Sequence, residues 1–177
     1  MEKQITTPAV KGLIIALALI IFQVAITLTH QEGNKSLGII PIAVLLGGII
    51  WACMTYSSQM DGNVTFGNVF SHGFKSGSLV AALVGLWLAL SLTLIFPESL
   101  DRMMELQRTE MLKNGMTNDQ ADQYLNGVGR KMAVPMGTIV VVILYLVISA
   151  IGGLLGASLA KKNPNPLLND LTDINKV

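Results

Sequence analysis

The sequence predicts an all-α, polytopic membrane protein with four transmembrane helices. Asp, Glu, Lys, Arg and His are all missing from four segments, which are residues 12–29, 36–60, 76–97 and 132–160. A helix needs about 20 apolar residues to cross the roughly 30 Å hydrocarbon core of a bilayer, and each segment approaches or exceeds that length. The composition agrees with this interpretation, because 51% of the 177 residues are hydrophobic and only 13% are charged.

These segments predict a single membrane domain over residues 1–162. We place its spans at about 10–29, 37–57, 76–96 and 135–160. Pro8 suits the first turn of the first helix. The apolar run of that helix is longer than that of a signal peptide and does not end in a small-residue cleavage site, so we interpret it as a first span that is not removed. Residues 30–35 have the composition of a turn, so the first two spans form a tight antiparallel hairpin.

Residues 65–75 have two interpretations. Thr65 is placed to cap a helix. The residues that then recur at helical spacing are Phe66, Val69, Phe70, Gly73 and Phe74. One interpretation is an amphipathic helix on the membrane surface before the third span, with Lys75 reaching the headgroups. The other is that the segment extends the third span by a few turns. The predicted fold contains the surface helix.

Small residues in the third and fourth spans predict close helix–helix contacts. In the third span they recur at every fourth position, as Gly73, Gly77, Ala81, Gly85 and Ala89. In the fourth span they are Ser149, Gly152, Gly153 and Gly156. Small side chains let helix backbones approach closely in lipid, where burial against water provides no driving force. We favour a contact within the bundle over one between subunits.

Residues 98–131 predict a helical hairpin between the third and fourth spans, outside the membrane. Asn114 and Gly115 interrupt an apolar stripe, and Thr117 with Gln120 has the form of a capping box. Gly127 and Gly129 are placed to end the second helix of this hairpin. The final residues, 163–177, are rich in turn formers and predict a mobile tail.

The sequence provides little chemistry for catalysis, and we expect neither an enzyme nor a cofactor or metal. The single cysteine, Cys53, lies inside an apolar segment and reads as a small apolar residue. His30 lies in a turn, and we interpret His72 as an interfacial polar residue. The net charge of +1 provides no basic surface for nucleic acid.

The positive charges outside the spans hardly distinguish the two possible orientations of the chain in the membrane. The lysines and arginines divide evenly between the two sides of a four-span topology, so the positive-inside rule gives a tie. The first helix often dominates, and Lys3 and Lys11 precede it whereas Lys35 follows it. We therefore favour a topology with both termini in the cytoplasm.

Three segments together resemble a known family. They are MEK at residues 1–3, MDGNVTFGNVFSHGFK at 60–75 and GMTNDQ at 115–120. With these segments the chain resembles Domain of Unknown Function 4199, a family of small bacterial integral membrane proteins with four spans. The resemblance implies the four-span architecture and an inner-membrane location, and it implies no catalytic or binding residues.

Two functional hypotheses follow. The first is a non-enzymatic accessory or scaffold component, whose contact surfaces are residues 65–75 and 98–131. The alternative is a small oligomeric transporter or channel for a small or lipid-like solute. The expected partners are the lipid bilayer and either another membrane protein or further copies of the chain.

Overall fold

The computed structural model describes residues 5–34 and 36–162, so the tail predicted at 163–177 lies outside the described residues. Within that part the chain is helical and contains no strand. The helices are α1 Pro8–Leu28, α2 Ile39–Gln59, α3 Phe66–Leu90, α4 Pro97–Lys113, α5 Asn118–Tyr124 and α6 Arg130–Leu159. Two π-helical turns, Ser91–Ile95 and Leu125–Gly129, follow α3 and α5.

Four of these helices are long and apolar enough to cross a membrane, which confirms the predicted fold class. They are α1, α2, α3 together with the turn that follows it, and α6. Their outward faces carry large apolar side chains, such as Leu94, Ile21 and Leu159, which are 73%, 68% and 65% exposed. Lipid is the solvent that such a surface requires.

Helix α3 lies at the centre of the bundle, because it packs against α1, α2 and α6. Its contact with α6 is the most extensive in the molecule. At Gly12 of α1 the backbones approach so closely that an added Cβ would lie 2.6 Å from the carbonyl oxygen of Ser76. Small residues therefore determine the separation of α1 and α3, as packing in lipid requires.

Residues 66–75 form the beginning of α3 and not a separate surface helix. Thr65 caps this helix as predicted, with its hydroxyl accepting a hydrogen bond from the Asn68 backbone N–H at 3.2 Å. Val69, which belongs to the apolar face in the surface-helix interpretation, is buried, and the Cys53 thiol donates to the Val69 carbonyl at 3.5 Å. A helical apolar pattern does not distinguish a membrane surface from neighbouring helices, and here the neighbouring helices cover it.

The connector contains the predicted helical hairpin, made of α4 and α5. The Thr117 hydroxyl accepts from the Gln120 N–H at 3.4 Å, and the Gln120 side chain accepts from the Thr117 N–H at 3.1 Å. These two bonds confirm the capping box. The chain turns before it at Gly115, where φ is +90°, a conformation that favours glycine.

The junction between α5 and α6 differs from the expected helix end. Gly127 departs from helical geometry with φ −84° and ψ −109°, but the chain continues through the π-helical turn into α6. Gly127 therefore produces a kink, whereas Gly129, the other predicted breaker, keeps helical φ and ψ. As a result α6 begins at Arg130, and Pro135 lies inside the helix instead of near its start.

The two ends of the bundle are formed by different parts of the chain. At the first end the Thr6 N–H donates to the Gln59 side chain at 3.1 Å, and the Ser57 hydroxyl donates to the Lys161 carbonyl. This end, which we call the terminal end, collects the start of α1 and the ends of α2 and α6. The opposite end, the connector end, holds the turn between α1 and α2 and also α4.

Candidate functional site

The small residues of α3 and α6 face one another inside the bundle. A Cβ added at Gly77 would overlap the Cβ and Oγ of Ser149, and both residues are buried. A Cβ at Gly73 would overlap the Cys53 sulfur and lie 3.5 Å from the Gly153 Cα. The two stripes are therefore complementary at their closest points.

Some of the other small residues contact α2, and others lie in the core of the bundle. A Cβ at Gly152 would lie 3.1 Å from Ile49 Cβ, and one at Gly156 would lie 2.7 Å from Cys53 Cβ. Ala81 is buried, and Ala89 is half-buried. Gly73, Gly77, Gly152 and Gly156 each contact other helices of the same chain. They pack helices and leave no space for a ligand at these positions.

A cavity of about 780 Å³ opens at the connector end, and we call it the connector cavity. Its floor is mostly apolar and includes Leu19, Phe22, Val84, Leu88, Val141 and Tyr145, together with the amide of Gln23. Its rim is polar and includes Gln31, Glu32, Asn34, Gln107, Glu110 and Lys113. The floor comes from three spans, whereas the rim comes from the α1–α2 turn and from α4.

One ion pair holds α4 over this rim. Arg102 donates from Nε and Nη2 to the same oxygen of Glu32, at 3.2 Å and 2.8 Å, and Nη2 also donates to the Ser99 hydroxyl at 2.7 Å. Beside the pair, a Cβ added at Gly33 would lie 3.1 Å from the Leu106 side chain. The α1–α2 turn and α4 are thus in direct contact above the cavity.

The ionisation of Glu32 reflects these contacts. Burial is the largest single influence and raises the pKa of the carboxyl group. The hydrogen bond from Arg102, one from the backbone N–H of Glu32 itself, and the positive charges of Arg102 and His30 outweigh burial together. The pKa of Glu32 therefore lies below its ordinary value, and the pair is ionised at neutral pH.

Two further ion pairs order the connector. Arg108 donates to both carboxylate oxygens of Asp122, at 2.7 Å and 3.2 Å, and so ties α4 to α5. This bond lowers the pKa of Asp122 and raises the pKa of Arg108. Arg130, at the start of α6, lies 2.6 Å from Asp101 on α4. The connector is therefore joined both to itself and to the bundle.

A buried polar cluster lies near the terminal end, and the sequence reasoning missed it. The Lys11 ammonium group donates to the Ala52 carbonyl at 3.1 Å and lies 5.9 Å from the centre of the Tyr56 ring. Tyr56 stacks on His72 with ring centres 4.1 Å apart. Lys11 is 1% exposed and His72 is 6% exposed, so His72 does not occupy the interfacial position that we assigned to it.

The pattern of small and apolar residues contained the signal for this cluster. Lys11 precedes Ile15 and Leu19 at intervals of four, and all three are buried on one face of α1. His72 is three residues after the buried Val69 and beside the buried Gly73. Extending each buried face by one helical turn, whatever the residue type, would have placed both polar side chains inside.

No cluster of three or more His, Cys, Asp or Glu side chains that could hold a metal ion occurs among the described residues. Cys53 is buried between α2, α3 and α6. The predicted site residues thus pack helices against one another. The polar side chains described above lie instead at the two ends of the bundle.

Comparison with known proteins gives one match. No curated protein and no solved structure is similar to the chain. A family model described as a protein of unknown function, DUF4199, matches residues 11–162, which include α1 from Lys11 onward, the other three long apolar helices and the connector. The chain therefore belongs to this family of proteins of unknown function, DUF4199.

Proposed function

We propose that this protein is a non-enzymatic component of the bacterial inner membrane that holds a lipid-like, amphipathic molecule in the connector cavity. The division of the cavity into an apolar floor and a polar rim carries the proposal. Its volume of about 780 Å³ lies within the roughly 300–1,000 Å³ of typical ligand pockets. An acyl or isoprenoid chain would occupy the floor, and its polar end would contact the rim.

The state of the rim carboxylates supports binding over catalysis. Glu32, a carboxylate of this rim, is paired with Arg102. A general base needs an available lone pair next to its substrate, and a paired carboxylate is a poor one. Glutamines and asparagine make up much of the remaining rim, and these amides bind polar groups without transferring protons.

Filling the cavity tests the proposal. Leu88 lines the floor, whereas Leu86 on the same helix is 58% exposed on the outer surface and does not line it. We expect Leu88→Trp to abolish retention of an amphipathic molecule during purification in mild detergent, and Leu86→Trp to leave it unchanged. Native mass spectrometry measures the retained molecule per protein, and extraction followed by lipid analysis identifies it.

The two variants add the same side chain to the same helix, so a difference between them reports the cavity. Loss in Leu88→Trp alone supports binding in the connector cavity. Equal retention in both variants, with both proteins folded, would contradict it. A folded wild-type protein that carries no amphipathic molecule would also contradict it.

A scaffold role is the second candidate, and exposed apolar residues on the connector favour it. Met103, Met116 and Tyr124 are 44%, 46% and 51% exposed outside the four spans. Side chains of this kind are enriched at protein–protein contacts. A photocrosslinking residue at position 103 should capture a membrane protein partner in cells, and one at lipid-facing position 86 should not.

The topology that we propose places both termini in the cytoplasm and the connector cavity on the outer side. Support comes from the lysines around the first helix. Fusions of the C-terminus to a reporter active only in the cytoplasm and to one active only outside it test this topology. Activity of the external reporter alone would reverse the assignment.

A further inference from the structure

Two polar side chains line the connector cavity from within the membrane-spanning helices. They are Gln23 of α1 and Tyr145 of α6. On the basis of the lipid-binding function proposed above, we propose that these side chains donate hydrogen bonds to the acyl carbonyl oxygens of the bound lipid. The connector cavity then selects lipids whose chains are joined to the headgroup by ester or amide bonds.

Tyr145 is buried, and its hydroxyl group has no partner. The residue is 8% exposed, and its hydroxyl forms no hydrogen bond to a described residue, since the Ser149 hydroxyl bonds the Tyr145 backbone carbonyl. In the described part of the chain, the unpaired side-chain atoms that are fully enclosed are His72 Nε2, Trp87 Nε1 and Thr138 Oγ1. The Tyr145 hydroxyl is not one of them and therefore keeps accessible surface, and the connector cavity is the space that this residue lines.

Gln23 also lacks a partner. It is half-buried between Phe22 and Val24 in a helix that is apolar enough to cross the membrane. Its amide forms no hydrogen bond to any residue that the structure describes. An amide has two donor hydrogens and an acceptor oxygen, and lipid offers no water to satisfy them. A ligand in the cavity would supply the missing partner.

The two side chains approach each other because their helices run in opposite directions. Gly12 of α1 and Ser149 of α6 contact adjacent positions of α3, residues 76–77. Counted from these contacts towards the connector end, Gln23 lies roughly 9 Å beyond Tyr145 at the rise of an α-helix. Side chains lean towards the N-terminus of their own helix, and α1 begins at the terminal end whereas α6 begins at the connector end. Gln23 and Tyr145 therefore lean towards the same level of the cavity.

The depth of this pair distinguishes between classes of lipid. Gln23 lies about 7 Å below the end of α1, which is at Leu28. A diacyl lipid with its headgroup at the rim has its carbonyl oxygens just below, next to these donors. An isoprenoid phosphate carries its polar atoms at one end only and would leave both side chains unpaired. A site with buried donors rejects a ligand that cannot pair with them, so the cavity favours the acyl lipid.

Two lipids that differ only in their carbonyl groups test this selectivity. Dioleoyl phosphatidylglycerol has two ester carbonyls, and its dioleyl ether analogue has the same headgroup and chain length but none. Native mass spectrometry of the full chain in mild detergent measures binding of each lipid. Tyr145→Phe and Gln23→Leu each remove one donor and keep most of the side-chain volume. Tyr124→Phe is the matched control, because Tyr124 is 51% exposed on α5 and does not line the cavity.

We expect the wild type to bind the ester lipid about tenfold more tightly than the ether lipid, the effect of buried donors left unpaired. Tyr145→Phe and Gln23→Leu should each reduce this preference about threefold by weakening binding of the ester lipid alone. Tyr124→Phe should keep the full preference.

The comparison within the wild type needs no variant and is therefore independent of any folding defect. Equal binding of the two lipids, binding of neither, or a preference that falls no further in the cavity variants than in Tyr124→Phe would overturn the proposed selectivity. A wild type that retains an amphipathic molecule without acyl carbonyls would overturn the selectivity and leave the lipid-binding function standing. A wild type that retains no amphipathic molecule would overturn both.

Discussion

The contact between Gly77 and Ser149 allows a test of how tightly α3 and α6 are packed. Gly77→Ala adds a methyl group where the Cβ and Oγ of Ser149 already lie. Ser149 is fully buried, and its hydroxyl donates to the Tyr145 carbonyl at 2.6 Å, so it has little freedom to move away. Adding one methyl group to a packed core costs about 1–3 kcal/mol, and we expect a value near the upper end.

Gly47→Ala is the matched control. Gly47 also lies in the interior of a spanning helix, but an added Cβ there would contact nothing within 4 Å. Alanine is a better helix former than glycine, so this variant should gain about 0.5–1 kcal/mol. The two identical substitutions should therefore differ in sign, with Gly77→Ala destabilising and Gly47→Ala neutral to stabilising.

Cys53 supplies the assay. It is the only cysteine in the chain and is 0% exposed, so it reacts with a maleimide when the bundle opens. The rate of labelling during a denaturing-detergent titration measures the free energy of unfolding. The double variant Gly77→Ala, Ser149→Gly removes the overlapping atoms and should recover at least about 1 kcal/mol beyond the sum of the single effects. Equal stability of Gly77→Ala and Gly47→Ala, or no recovery in the double variant, would refute the packing argument.

Three further predictions concern the connector and the buried lysine. Glu32→Gln should weaken the docking of α4 by about 1 kcal/mol, measured as faster hydrogen exchange in α4, with Glu98→Gln as a control that leaves it unchanged. Because the folded-state pKa of Glu32 is lowered, this docking contribution is complete above the ordinary carboxyl pKa of 4.5 and is lost as pH falls through the folded-state pKa. After correction for the intrinsic pH dependence of amide exchange, acid should therefore lower the protection of α4 in the wild type but not in Glu32→Gln. Thr117→Ala removes the capping box and should cost α5 about 1 kcal/mol, seen as faster exchange at residues 118–124, whereas Thr109→Ala should not affect those residues. Lys11→Met removes the bond to the Ala52 carbonyl but keeps the buried stem, so stability should change by less than about 1.5 kcal/mol, whereas Lys11→Ala should cost at least about 2 kcal/mol through the cavity it leaves.

The spans were predictable because charge is excluded from lipid over a fixed length of helix. The same criterion concealed the burial of Lys11, because the charge-free segment begins only at Gly12 and the orientation argument counts Lys11 as a charge outside the helix. In the structure Lys11 lies in the first turns of α1 and is buried between helices, where its ammonium group donates a hydrogen bond to the Ala52 carbonyl. Composition thus predicted which segments cross the membrane. It did not predict which residues of each helix face lipid and which face other helices.

The small-residue positions were also visible in the sequence, but their partners were not. Spacing by four identifies one face of α3, and only the fold brings Gly77 to Ser149 or Gly73 to Cys53. The connector cavity was beyond prediction for the same reason. It requires Arg102 to meet Glu32, 70 positions earlier in the chain, and no local pattern encodes that pairing.

The function that we propose for the connector cavity requires a ligand to enter and leave, and α4 lies over the rim of this cavity. One partly exposed ion pair and the contact of Leu106 with Gly33 connect α4 to the α1–α2 turn. A pair of this kind contributes about 1 kcal/mol or less, far below the cost of separating α3 from α6. The π-helical turns on either side of the connector, including the kink at Gly127, are the places where such a segment bends most easily. We therefore expect that moving α4 away from the α1–α2 turn costs less free energy than separating α3 from α6, although the pair between Arg130 and Asp101 also joins α4 to the bundle.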